Sequence, residues 1–534
     1  MNGVSMQFTS YSFLLFLLVL FAVYYLIPKR FQWMLLLVAS YVFYSFVGIK
    51  YGIYMLATTV STFFTGRKLN SLSSKQAEYL ASNKDALSKE EIKEYRQRIK
   101  SIRKRWILLC LLFSFGILAV LKYTDFGISN INSVAKIFNP EWSLPVKNFI
   151  IPLGISFYTF QSAGYLIDIY REKYKYESNF LKFALFISYF PQLVQGPISR
   201  FDDLKKTLFE EHSLDRENIS FGFQRILWGY FKKLVIADRL YVAVKTIIGD
   251  TQEFTGVFVL LGMLFYAIEL YADFSGGIDI TLGISQALGI RQAENFNRPF
   301  FSKSIAEYWR RWHITLGTWF KDYMYYPVSL SKPVTRLSKF CKDKFGKPVG
   351  KRVPVYVSTL LIWFTTGLWH GASWNFVVWG LLNAVVIVVS HELSPLYERF
   401  HGRYHISHTF IFRLFQVVRT FWLMCFLRTL DCYPGVGKTF RMVGTVFTNL
   451  NIRELLQGGF MKLGLTVPDY IVIIAAVGLL LAVSLAQRTG SIREKIAKKP
   501  FVSYCVNFAL FLSIIVFGAY GVGYDAAQFI YSRF

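Results

Sequence analysis

The chain has 534 residues, of which 54% are hydrophobic and 18% aromatic, and its net charge is +27; its mean hydropathy is +0.36. These values exclude a soluble chain of polar-surfaced domains, because the apolar residues form stretches of about 16 to 22, long enough to cross a hydrocarbon core. We therefore predict an all-α polytopic membrane protein that is embedded in the lipid bilayer.

Membrane spans are predicted in chain order from the apolar stretches. They lie near residues 11–27, 31–48, 51–65, 106–121, 180–195, 254–272, 355–370, 373–390, 409–427, 467–486 and 501–521. Two weaker segments, 148–168 and 274–290, are interrupted by Gly, Pro and polar residues. They predict re-entrant or broken helices, because irregular backbone at membrane depth needs protein or water to satisfy its polar groups.

The distribution of cations predicts the orientation. Segment 66–105 carries twelve Lys and Arg against five Asp and Glu, which indicates a basic cytoplasmic loop. The cations at 28–30 and 487–500 agree, so we expect both termini outside the cell membrane. Segment 222–240 predicts an amphipathic helix on the cytoplasmic surface. No nucleic-acid partner is expected, because no basic and aromatic groove motif accompanies the charge.

Most histidines and all cysteines are expected to be structural. The five cysteines are scattered without paired spacing: Cys110, Cys341, Cys425, Cys432 and Cys505. His401, His405 and His408 have helical ligand spacing, yet no carboxylate or thiolate pair lies near them in the sequence. We therefore predict an ordinary connecting segment there and no metal site.

Two histidines have different surroundings. His370 ends the apolar run "VSTLLIWFTTGLWH", and His313 lies in "EYWRRWHITLGTWF" beside Arg310 and Arg311. Dry surroundings disfavour the imidazolium, and so do neighbouring cations, so we expect both rings to be largely neutral at pH 7. A neutral ring is what a general base requires. A hydrogen bond between helices remains the alternative role for either histidine.

Other polar residues divide into ion pairs and substrate-binding candidates. Helical spacing predicts that Glu269, Asp273 and Glu307 form ion pairs that fix tilted helices. The candidates for substrate binding are Asn295, Arg311, Trp374 and Asn375. For Asn295, which lies in "RQAENFNRPF", a turn-forming role is the alternative.

Four stretches resemble the membrane-bound O-acyltransferase family, and in particular the bacterial branch with the alginate O-acetylation and teichoic-acid D-alanylation membrane subunits. They occur in the family's order and together span residues 152–380. They are "PLGISFYTFQSAGYLIDIYR" (152–171), "YFPQLVQGPISRFDDL" (189–204), the long run "YADFSGGIDITLGISQALGIRQAENFNRPFFSKSIAEYWRRWHITLGTWFKDYMYYPV" (271–328) and "TTGLWHGASWNFVVWG" (365–380).

The resemblance implies one membrane acyltransferase domain over residues 1–534, with a family core of about 150–390. It implies a ring of about 10 to 12 tilted transmembrane helices, with re-entrant and interfacial helices, around a central tunnel. By the same resemblance, His370 matches the family's catalytic histidine. His313 matches its second histidine, across the tunnel from the first.

The activity implied by the resemblance is transfer of an acyl group, with acetyl favoured, from a cytoplasmic thioester to a hydroxyl. The donor is acetyl-CoA or an acyl-carrier protein, used as co-substrate, and no cofactor is bound. The acceptor is an extracytoplasmic cell-surface polysaccharide, or a partner protein that passes the group on. Two alternatives remain: D-alanyl transfer from a carrier protein toward teichoic acid, and a transporter or channel. The long basic segment and the additional C-terminal spans favour acetylation over alanylation.

Overall fold

A computed structural model describes residues 6–406 and 409–520. The predicted all-α polytopic class is confirmed: within these ranges the chain forms helices and no β-strand, with an isolated antiparallel bridge between Phe296 and Trp312. Six of the described helices are long and apolar enough to cross a membrane, and one bent pair would make a seventh. His408 and the two chain ends lie outside the described residues.

The chain forms two compact units. The first contains residues up to Ile219 and Ser285–Gln292, and the second contains Ser220–Ile284 and the residues from Ala293 onward. The helices of the first unit are α1 (Tyr11–Leu26), α2 (Gln32–Gly48), α3 (Gly52–Ser82), α4 (Lys89–Phe138), α5 (Ile155–Tyr170), α6 (Phe180–Ser188), α7 (Phe190–Gln195) and α8 (Phe201–Leu208).

The second unit contains the remaining helices, of which α9 begins and α11 ends in residues of the first. They are α9 (Arg216–Tyr230), α10 (Asp238–Gly249), α11 (Val257–Ala287), α12 (Ile305–Arg311), α13 (Ile314–Phe320), α14 (Tyr326–Ser329), α15 (Lys332–Phe345), α16 (Lys347–His370), α17 (Trp374–Glu392), α18 (Ser394–Tyr404), α19 (Phe410–Arg428), α20 (Val436–Thr448), α21 (Ile452–Leu456), α22 (Val467–Ala486), α23 (Ile492–Ala497) and α24 (Pro500–Phe517). Two π-helical segments, Phe231–Ala237 and Lys321–Tyr325, continue α9 and α13.

We predicted a loop for the basic segment 66–105, but the segment forms a helical hairpin. Helix α3 continues to Ser82 and α4 begins at Lys89, and Ser88 caps α4 through reciprocal hydrogen bonds with Glu91. The rings of Tyr79 and Tyr95 lie 4.3 Å apart and join the two helices. The segment has no proline, and its residues are mostly good helix formers. The loop was predicted from the high density of charged residues, which does not prevent a helix.

The predicted span 180–195 is also different in the structure. It divides at Tyr189 into α6 and α7, each too short to cross a bilayer, and Pro191 lies in the first turn of α7. Proline suits the first turn of a helix and cannot continue the preceding one, which explains the break. The segment is buried within the protein rather than exposed to lipid.

Segment 222–240 lies inside the second unit, which corrects the prediction of a surface helix. Its four cations are buried, and three of them pair with carboxylates of α11, whereas Arg239 pairs with Asp469. Arg225 Nε donates to Asp279 Oδ1 at 2.8 Å, and Lys232 Nζ donates to Asp279 Oδ2 at 2.6 Å. Lys233 Nζ donates to Asp273 Oδ1 at 2.6 Å, so the predicted ion pair of Asp273 is present. Because the cations have buried partners, they need no contact with water.

The predicted break at 274–290 is absent, because α11 continues through this segment to Ala287. Asp273 and Asp279 of α11 pair with cations of α9 and the following π segment, and Gly276 and Gly283 lie against α9. A Cβ on Gly229 would lie 2.6 Å from the carbonyl oxygen of Gly276. The close approach of the two backbones explains the glycines, which the sequence had suggested were helix breaks. The other weak segment, 148–168, is irregular only up to Gly154, after which α5 begins.

Candidate active site

His370 is the last residue of α16 and only 3% of its surface is exposed. The chain then turns sharply at Gly371 and enters α17 at Trp374. A Cβ on Gly371 would lie 2.2 Å from the ring of Phe376. The turn between the two helices therefore leaves no room for a side chain at position 371, and it fixes the end of α16 that carries the imidazole.

Helices α16 and α17 are in backbone contact next to His370. A Cβ on Gly367 would lie 2.3 Å from the carbonyl oxygen of Phe376, and one on Gly380 would lie 2.2 Å from that of Trp363. Small residues allow helices to approach this closely in membranes. The crossing sets the position of His370 relative to the α17 side chains.

We expect Gly380→Ala to destabilise the protein by about 1–3 kcal/mol, the usual cost of overpacking a filled interior. The added methyl group would push α16 away from α17 and displace His370. The measurement is the thermal midpoint in detergent. Gly478→Ala on α22 is the control, because nothing lies within 4 Å of a Cβ there. A Gly380→Ala protein as stable as the control would contradict the close crossing.

His313 lies between α12 and α13 in the left-handed region, with φ +46°. A non-glycine residue rarely adopts this conformation, and neighbouring hydrogen bonds hold it. Asn297 N–H donates to the carbonyl of Arg311 at 2.9 Å, and Ile314 N–H donates to the carbonyl of Asn295 at 3.0 Å. Segment 295–297 thus pairs with the residues on both sides of His313 and fixes the direction of its side chain.

The side chain of Asn295 determines which nitrogen of His313 carries the proton. Its Oδ1 accepts hydrogen bonds from Thr315 N–H at 3.0 Å and from Thr315 Oγ1 at 2.9 Å, and lies 3.2 Å from His313 Nδ1. Because a backbone N–H can only donate, the atom facing it must be the amide oxygen. His313 Nδ1 then carries the hydrogen, and in the neutral ring Nε2 carries the lone pair.

The two imidazoles contact the same indole ring. The ring centroid of Trp369 is 5.8 Å from that of His313 and 4.9 Å from that of His370. Phe274 of α11 contacts His313 at 4.9 Å, and Trp379 of α17 contacts His370 at 4.8 Å. The structure therefore brings together the two predicted histidines within one aromatic enclosure.

The electrostatic setting of His313 favours the neutral ring. His313 lies outside the helices that qualify as membrane spans. Burial lowers the pKa of His313, and the nearby guanidinium of Arg428 lowers it further. The neutral form agrees with the one expected from the sequence.

The other predicted site residues lie in different settings. Asn375 is buried, and its Nδ2 donates to the carbonyl oxygens of Leu430 at 2.9 Å and Tyr433 at 2.8 Å, which gives the amide a structural role. Arg311 forms an ion pair with Glu307 at 2.5 Å, as the spacing predicted for that glutamate. Trp374 is 57% exposed at the start of α17. Among the four substrate-binding candidates, Asn295 contacts the imidazole of His313.

Sequence reasoning missed Arg428. It is the last residue of α19, its side chain is 4% exposed, and it forms an ion pair with Asp431 at 3.1 Å. A signal was available, because an arginine in the apolar run "FWLMCFLRTLD" is an intramembrane charge that needs an explanation.

Comparison with known proteins gives a family match. The model of the membrane-bound O-acyltransferase family matches residues 86–428 of the chain. Both histidines, Asn295 and Arg428 lie within the matched segment.

Relatives in three groups of named bacterial proteins are similar to the chain. Probable alginate O-acetylase AlgI of Azotobacter vinelandii is 34% identical over 73% of this chain and 69% of its own length. Peptidoglycan O-acetyltransferase of Helicobacter pylori is 29% identical over 70% of this chain and 67% of its own. Teichoic acid D-alanyltransferase of Bacillus subtilis is 27% identical over 57% of this chain and 73% of its own.

Proposed function

The chain belongs to the membrane-bound O-acyltransferase family and is an O-acyltransferase, and from this premise we propose that it transfers an acetyl group from a thioester to a hydroxyl of a cell-surface polysaccharide. The observation that supports this proposal is the pair of buried imidazoles, His313 and His370, on one indole ring. Such a pair supplies two nitrogen bases in a water-poor setting, which suits acyl transfer without hydrolysis.

In the proposed mechanism His370 is the general base. Its neutral imidazole takes the proton of the acceptor hydroxyl while the oxygen attacks the thioester carbonyl. The tetrahedral intermediate then collapses: the carbon–sulfur bond breaks, and the imidazolium returns the proton to the departing thiolate. The products are an ester and a thiol. Holding both substrates in one enclosed site lowers the entropic cost of their encounter.

We assign His313 the task of orienting the acceptor. With its hydrogen on Nδ1 and directed to Asn295, the neutral ring has a lone pair on Nε2 and accepts a hydrogen bond there. This favours a contact with the acceptor hydroxyl. The neutral ring in this form does not donate from Nε2 to a developing oxyanion.

The names of the relatives favour acetyl over D-alanyl as the transferred group. The O-acetylases and the O-acetyltransferase match about 70% of the chain, whereas the D-alanyltransferase matches 57%. D-alanyl transfer from a carrier protein remains the second candidate, supported by the same family membership. The transporter alternative has no support, because the family is one of acyltransferases.

The proposal includes an arrangement across the cell membrane. The donor, acetyl-CoA or an acyl-carrier protein, reaches the site from the cytoplasm. The cationic helical hairpin of α3 and α4 lies on the same side, and both termini lie outside. The acceptor is an extracytoplasmic polysaccharide, or a partner protein that passes the acyl group to one.

The test is a donor competition with the purified protein in lipid nanodiscs. We expect acetyl-CoA labelled in the acetyl group to give an alkali-labile ester on an envelope polysaccharide acceptor, and D-alanyl-loaded carrier protein to give none. Mass spectrometry of the released acid identifies the group. Labelled alanine in place of acetate would select the second candidate. The absence of an ester with either donor would contradict both proposed donors.

A further inference from the structure

We propose that Arg428 is a positioning residue of this catalytic centre: its buried guanidinium holds the Trp379 ring against His370 and provides a fixed positive charge beside the reacting groups. The inference rests on the proposed function and concerns the same site. It adds a third functional side chain to the two histidines, one that acts through an aromatic ring rather than by touching a substrate.

Three tryptophans enclose the guanidinium. The Cζ atom of Arg428 lies 4.8 Å from the ring centroid of Trp379, 5.2 Å from that of Trp312 and 5.4 Å from that of Trp309. A cation over an aromatic face is attracted by the ring, most strongly when both are desolvated. The planar guanidinium stacks on such faces, and the ammonium of lysine does so less well.

Asp431 balances the charge of the Arg428 guanidinium. It contacts Arg428 at 3.1 Å from the short 3₁₀ helix that follows α19. From α11, Tyr266 directs its hydroxyl to Asp431 at 3.4 Å, and Glu269 acts electrostatically on Tyr266. The positive charge of Arg428 also lowers the pKa of His313. A buried ion pair is weak evidence for a stabilising role, so a functional reason for this one is warranted.

The enclosure is connected directly to His370. The ring of Trp379 contacts that of His370 at 4.8 Å, with the two planes at 76°. Asn383 fixes the ring of Trp309: its Oδ1 accepts from Trp309 Nε1 at 3.0 Å, while its Nδ2 donates to the backbone carbonyl of Trp379 at 2.8 Å. The ring of Trp379 therefore contacts both a permanent cation and the general base.

This arrangement suits the chemistry of acyl transfer. The transition state places negative charge on the carbonyl oxygen and then on the sulfur, and a fixed cation in a low-dielectric site stabilises both. The same cation disfavours the imidazolium between turnovers and so keeps the bases ready to accept a proton. Arg428 thus acts on the reaction without contacting the substrates.

The test replaces the ion pair as a unit, with Arg428→Met and Asp431→Leu together, because removing one partner would leave a buried charge uncompensated. We expect a folded protein with kcat for acyl transfer lowered about 10²-fold, comparable to the loss of one electrostatic contact to the transition state. The KM for the thioester should change little. The acid limb of the pH profile should move to higher pH, because the imidazolium is no longer disfavoured by the cation.

The matched control is Arg239→Met with Asp469→Leu, which removes another buried ion pair of the second unit. Arg239 lies on α10 and Asp469 on α22, whereas His370 ends α16 and His313 precedes α13. We expect the control to keep the wild-type kcat and pH profile. A wild-type kcat and an unshifted acid limb in the Arg428 and Asp431 double variant would overturn the inference.

Two further measurements keep the outcome decisive. If the double variant does not fold, Arg428→Lys is used: it retains the charge but not the planar stacking, so kcat should fall while the acid limb stays in place. The rate at which diethyl pyrocarbonate modifies His313 is followed against pH by mass spectrometry. Its midpoint should rise in the double variant, and an unchanged midpoint would contradict the inference even if the wild type transferred neither acyl group.

Discussion

The variant His370→Ala is expected to lower the rate of acyl transfer about 10²- to 10⁴-fold, the range that general-base catalysis contributes. The remaining side chains can still bind substrates, so KM should change much less than kcat. The measurement is the initial rate of ester formation by the protein in nanodiscs. Ester-linked acyl groups on the purified cell envelope should fall in parallel.

The control for this variant is His391→Ala. His391 lies near the end of α17, where it is exposed and contacts Tyr356 rather than the site. We expect wild-type rates from it. A His370→Ala protein that folds and transfers acyl groups at the wild-type rate would remove the general base from the mechanism.

The second large effect is expected at His313. Because this residue has φ +46°, the variant should be His313→Asn, since asparagine tolerates the left-handed region and alanine does not. We expect kcat to fall about 10²-fold, since the nitrogen that orients the acceptor is lost. The thermal midpoint, measured alongside, should remain close to that of the wild type.

A double-mutant cycle between Asn295 and His313 tests whether Asn295 sets the orientation of the His313 ring. Asn295→Asp keeps an oxygen for Thr315 and for His313 Nδ1, so it should retain most of the activity, with the acid limb moved to higher pH by the added negative charge. Asn295→Ala removes that oxygen and should lower kcat. Combined with His313→Asn, it should lower kcat no further, because both changes remove the same interaction. Additive losses would contradict the assigned orientation of the ring.

The sequence was sufficient to single out the two histidines as candidates, for a simple physical reason. An ionisable ring in an apolar segment must be compensated by a partner or by a function, and this can be recognised without coordinates. It was not sufficient to predict the role of Asn295, because that role depends on the contacts of its amide oxygen with Thr315 and His313. Turn-forming asparagines are common, so the residue type alone left its role open.

Errors in the predicted elements have a common cause. The basic segment 66–105 was taken for a loop and segment 222–240 for a surface helix because both are rich in cations. One proves to be an extended helical hairpin, and the other is buried against the carboxylates of α11. Composition gives the charge of a segment, whereas the location of its partners decides whether that charge can be buried.

By itself the sequence determined the class of the protein, because apolar stretches of spanning length have no soluble alternative, and it singled out two imidazoles as candidate bases. The tertiary structure alone decided how those rings are arranged: the hydrogen on His313 Nδ1, the contact of both imidazoles with Trp369, and the contact of Arg428 with Trp379. These contacts join residues that are distant along the chain. Residue spacing describes only neighbours on one helix, whereas contacts between helices depend on how the backbones pack.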